Sequence, residues 1–66
     1  MRYQLSVATP LSERAVAAFP ELHRVPAPSG GTRLVGEVRD PAQLAEIVAR
    51  FGALGLDLVD IHRLPG

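Results

Sequence analysis

The sequence contains no cysteine, which excludes disulfides, thiol catalysis and cysteine-ligated zinc or iron–sulfur sites within its 66 residues. Lysine is absent too, so all seven basic residues are arginine, matched by seven acidic ones and spread without blocks. No broad positive field exists to hold a phosphate backbone, and nucleic acid is not an expected partner. Aromatic residues number three, one tyrosine and two phenylalanines, too few to line a base-stacking platform. No run approaches the ~20 apolar residues of a membrane helix, and "MRYQLSVATP" has neither the apolar core nor the cleavage site of a secretory signal. A soluble, cytoplasmic protein with no membrane partner is the expectation.

What is present is one domain, residues 1–66. A chain this short buries only about 60% of its unfolded surface, near the limit for folding alone without disulfides or metal. Burial borrowed from a second chain would therefore matter.

Arg2 to Ala8 alternates, with Tyr3, Leu5 and Val7 on one side and Arg2, Gln4 and Ser6 on the other, as a half-buried strand does. In "TPLSERAVAAFPEL", Ser12 can cap a helix, Glu13 suits its positive end, and Leu11 can staple onto Val16. That helix is expected from about Glu13 to Phe19, with a frayed last turn towards Leu22 as the alternative end, because Pro20 disfavours helical geometry at the residue before it. "HRVPAP" suits only a sheet edge, since its prolines cannot donate ladder hydrogen bonds. "SGGT" supplies a turn, and "TRLVGEV" alternates again as a third strand.

The second helix is the clearest element. Asp40 caps it, Pro41 takes the first helical position, and Gln43 completes a capping box. Leu44, Ile47, Val48, Phe51 and Leu54 make one apolar stripe, with Gln43, Glu46 and Arg50 expected in solvent. Gly55 is a natural stop for the helix, with Gly52 an earlier alternative, and a closing strand begins at about Leu56. The order strand, helix, strand, strand, helix, strand is that of an α+β, ferredoxin-like βαββαβ plan. Right-handed crossovers would place both helices on one face of a four-stranded antiparallel sheet, the last strand beside the first and the proline-bearing strand at the far edge.

Chemistry-bearing residues are scattered. The "HR" pairs at His23–Arg24 and His62–Arg63 fall on strands at opposite edges and lack nearby carboxylate or thiol ligands, so no metal or cofactor is expected. "PSGGT" precedes a strand, whereas a phosphate loop opens a helix. The "ATPLSER" loop offers Thr9, Pro10 and Ser12 beside a helix N-terminus, a candidate small-ligand loop, although Ser12 is needed as a cap. The bases of an RNA-recognition motif would stack where this chain has Gln4, Ser6, Arg33, Val35 and Glu37. A copper chaperone's paired cysteines are missing from "VATPLSE". No catalytic constellation emerges, and an enzyme is not the expectation.

The stretches "LSERAVAAFPEL", "EVRDPAQLAEIVARFGALGL" and the closing "RLP" resemble those of short, largely uncharacterised proteins of high-GC actinobacteria, over most of the length. Length and element order are also similar to those of ACT-like regulatory domains. That resemblance implies small-ligand binding at a subunit interface near the first strand–helix loop.

The last strand, "GLDLVDIHRLPG", poses a question of facing. Turning Leu58 and Leu64 inward would carry Asp60 and His62 into an apolar layer, and an unpaired buried carboxylate costs several kcal/mol. The alternation therefore predicts Val59 and Ile61 inward, and Leu58, Asp60, His62 and Leu64 on the open sheet face with Val35. These five residues form the predicted interface of a protein-interaction module, most simply a homodimer using the open face and the unblocked last strand. An ACT-like ligand sensor is the alternative.

Overall fold

The protein, described by a computed structural model over residues 1–27 and 30–65, begins with β1 (Arg2–Val7) and α1 (Glu13–Ala17). The Ser12 hydroxyl accepts from the Ala15 amide at 3.1 Å, as a cap should. The helix closes two residues earlier than expected. Ala18 and Phe19 donate back to Ala15 and Val16 at 3.2 and 3.0 Å, tightening the last turn and releasing Phe19 into complete burial.

After α1 come β2 (Leu22–Val25), β3 (Thr32–Glu37), α2 (Pro41–Ala53) and β4 (Leu58–Leu64). β2 stops before Pro26, where a ladder donor is lost. The expected turn at "SGGT" and the end of "HRVPAP" fall in part on Pro28 and Ser29, outside the described residues.

Asp40 and Gly55 close α2 as expected, whereas the Gln43 side chain reaches one residue past the cap amide of the expected capping box. The Gln43 amide donates to the Asp40 carboxylate at 2.8 Å, while the Gln43 side chain accepts from the amide of Arg39 at 2.6 Å, one residue before the cap. At the other end Leu56 donates to the Phe51 carbonyl and Gly55 to that of Gly52. This is the Schellman pattern, and it places Gly55 at φ +71°, where a side chain would be strained.

The four strands form one antiparallel sheet in the order β2-β3-β1-β4, with the last strand beside the first and the short second strand at the far edge. Leu5, Val7, Leu22 and Leu34 of the sheet meet Phe19, Val38, and Ile47 and Phe51 of α2 in one apolar cluster. The two phenylalanine rings lie 4.3 Å apart, tilted by 32°, a favourable aromatic contact. α+β architecture with a four-stranded antiparallel sheet and two helices is thus established.

Candidate functional site

Because residues paired across antiparallel strands share a face, the register assigns every sheet side chain. Leu5 stands opposite Leu34 and Ile61, on the face of the apolar cluster. On the other face His23, Val35, Gln4 and His62 form one row across the sheet, and Val25, Arg33, Ser6 and Asp60 form the next. Arg2 stands between Glu37 and Leu64 beyond them. Two strands separate His23 from His62, about 14 Å at the usual strand spacing. They cannot share a metal ion, and no group of three or more His, Asp or Glu side chains able to hold one occurs among the described residues.

One irregularity overturns part of the predicted facing. Between Ser6 and Val7 the register of β1 on β4 slips, so that Ser6 pairs with Asp60 but Val7 pairs with Leu58, leaving Val59 as the extra residue of a bulge. Leu58 is therefore not on the open face. It stands opposite Val7, half-buried against the apolar cluster. Val59, expected inward, is 58% exposed, and Ile61, although it shares the face of Leu5, is 41% exposed. The reason is position: the fully buried strand residues lie on β1, β2 and β3, and of the outer strand only Leu58, partly buried, packs against the cluster.

The remaining predicted interface residues divide. Asp60 and His62 are exposed on the open face, and Leu64 is half-buried beside Arg2. Val35 is on that face but only 4% exposed, flanked by His23 and Gln4 in its row, so its apolar surface is already covered within the chain. A shallow groove runs along Met1, Arg2, Arg63, Leu64 and Pro65.

β4 is the longer of the two edges, seven residues with no proline inside, against four for β2. Among the described residues it pairs on one side only. Alternation did not reveal that its branched apolar side chains stay in solvent, because a sequence does not say which strand positions the apolar cluster will cover.

In the predicted ligand loop one of the three side chains is engaged and the backbone is tied down. Thr9 and Pro10 are exposed, Ser12 caps α1, and the buried Thr32 hydroxyl accepts from the Leu11 amide at 2.8 Å and donates to the Thr9 carbonyl at 3.0 Å. A cleft of about 100 Å³ lies next to that loop instead, lined by Ser6, Ala27, Gly31, Arg33 and Val59 among others. The Nε of Arg33 is buried with no hydrogen-bond partner among the described residues.

The best-organised polar cluster was expected in solvent. Arg50 of α2 donates to both carboxylate oxygens of Glu21, to the Ala18 carbonyl and to Glu46, and lies 5.4 Å over the Phe19 ring. Glu21 and Glu46 hold the guanidinium still more firmly protonated, and the hydrogen bonds from Arg50 keep the Glu21 carboxyl below the usual glutamate range. Every partner is internal, so this cluster is a structural clasp.

These features define a small α+β protein whose most exposed apolar strand groups line one sheet edge. Residues 2–62 match the family model described as domain of unknown function (DUF8691), and the chain belongs to that family. No curated protein and no solved structure matches it. Among the described residues no helix is long and apolar enough to cross a membrane.

Proposed function

We propose that this is a non-enzymatic protein-interaction module of ferredoxin-like plan, both helices on the Leu5 face of the sheet, which forms a homodimer through its last strand. The strand order agrees with that plan, since β1 lies between β3 and β4 and is antiparallel to both. One observation carries the functional reading: an unblocked seven-residue edge strand holds Val59 and Ile61 in solvent. Such an edge is a template for strand addition, since its outward backbone groups have no ladder partner among the described residues. The open face contributes its margin, Asp60, His62 and Leu64, while Val35 is covered. Sedimentation at micromolar concentration tests the reading. The wild type should be a dimer and Ile61→Lys a folded monomer, whereas Leu58→Lys should damage the fold itself. A wild-type monomer would remove the proposal.

A second reading, small-ligand binding, is favoured by the buried Arg33 Nε, which has no partner among the described residues, since a buried donor calls for one. It places the ligand in the cleft of Ser6 and Arg33, large enough only for a small anion, and not at Thr9, Pro10 and Ser12. Inorganic phosphate or acetate should then raise the melting temperature of the wild type and of Thr9→Ala, but not of Arg33→Gln. No shift in the wild type would end this reading.

A further inference from the structure

We propose, resting on the homodimer reading, that two copies of β4 pair antiparallel in one register, with Ile61 on the twofold axis and Asp60 facing the partner's His62. A twofold contact that continues the sheet pairs residues of the same face, so the axis passes through one residue of β4 and its neighbours pair symmetrically about it. The strand's own charges then discriminate among the centres. With Asp60 on the axis, two carboxylates meet. Arg63 on the axis sets two guanidinium groups against each other, His62 on it leaves Asp60 opposite the partner's Leu64, and Val59 on it puts the bulge at the centre of the ladder and not at its end. Like charges directly opposite destabilise a strand pair.

Leu58 and Leu64, at the two ends of β4, would pair only a few residues as centres, whereas Ile61 is the strand's midpoint and sets no like charges opposite each other. There the two Ile61 side chains, each 41% exposed in the single chain, cover one another on the cluster side. On the open face each Asp60 stands opposite the partner's His62, and symmetry makes this contact twice. Val59 stands opposite the partner's Arg63, at the outer end of the regular ladder. The occupant is thus a second copy of this chain, because in this register each Asp60 carboxylate meets an imidazole that can donate to it and no like charges stand opposite each other.

The chain has no cysteine, so a single introduced thiol reports the register directly. Cα atoms of directly opposed residues lie about 4.5–5.5 Å apart, within reach of a disulfide, whereas two residues each one step off the axis lie about 8 Å apart and out of reach. Ile61→Cys should cross-link to itself on mild oxidation, and His62→Cys should not. A mixture of Asp60→Cys and His62→Cys should give the mixed cross-linked dimer. Asp60→His and His62→Asp should each weaken the dimer several-fold, and the double exchange should restore it. A wild-type dimer in which His62→Cys links to itself, or in which Ile61→Cys fails to link, would overturn the register and leave the homodimer reading standing. A wild-type monomer would overturn both.

Discussion

Arg50 grips Glu21 with two parallel hydrogen bonds, Nη1 to Oε1 at 2.9 Å and Nη2 to Oε2 at 3.0 Å, and so ties α2 to the turn that leads from α1 into β2. The pair is about three-quarters buried on both sides, with side-chain exposures of 25% and 22%, and the two-pronged geometry is the strong form of this contact. Arg50→Met should cost about 1–3 kcal/mol, and Arg50→Lys should recover little because an ammonium cannot fork. Urea midpoints of the three proteins measure the difference.

The same pair gives a pH dependence. Hydrogen bonding to Arg50 lowers the Glu21 pKa in the folded chain, so its contribution is fully present above the ordinary glutamate range of about 4.3 and is lost as pH falls through the lowered folded value. The stability gap between wild type and Glu21→Gln should therefore be widest at neutral pH and shrink towards pH 3. A gap that held constant over that range would show that the carboxylate charge contributes nothing.

Ile47→Ala and Phe51→Ala should each cost about 2–5 kcal/mol, since both side chains are fully buried in the cluster. Glu46→Ala removes an exposed neighbour of Arg50 on the same helix and should cost about 0.3–0.5 kcal/mol. Chemical denaturation separates them, and equal midpoints would contradict the packing of α2.

Two glycines should respond with opposite sign. A methyl group at Gly36 would run into the Glu21 carbonyl oxygen and the Leu22 side chain, whereas one at Gly52 meets nothing within 4 Å. Gly36→Ala should destabilise by about 1–3 kcal/mol. Gly52→Ala, inside α2, should stabilise by about 0.5–1 kcal/mol. Thermal melting of the two variants beside wild type is the check.

Thr32→Val keeps the shape of the buried side chain but strands the Leu11 amide and the Thr9 carbonyl. It should cost about 1–3 kcal/mol, and Thr32→Ser should cost less by keeping the hydroxyl. Amide exchange at Leu11 should quicken in the valine variant and not in the serine one.

Local chemistry made much of this architecture legible. Ser12, Asp40, Pro41, Gln43 and Gly55 mark helix ends by satisfying, or leaving room to satisfy, backbone groups within a few residues. Alternation in "RYQLSV" and "TRLVGE" marks strands because period two is intrinsic to extended backbone. The proline that cuts β2 short at an edge acts through its own missing donor. Three features came only from the tertiary structure. The bulge at Val59 turns Leu58 towards Val7, since facing in a strand depends on register with its neighbour as well as on alternation within it. Arg50 is held by Glu21, 29 residues away in sequence, which a helical spacing read over one element cannot show. Val35 is covered while Ile61 is exposed, because Val35 stands on an inner strand between two neighbours and Ile61 on the edge strand has a neighbour on one side only.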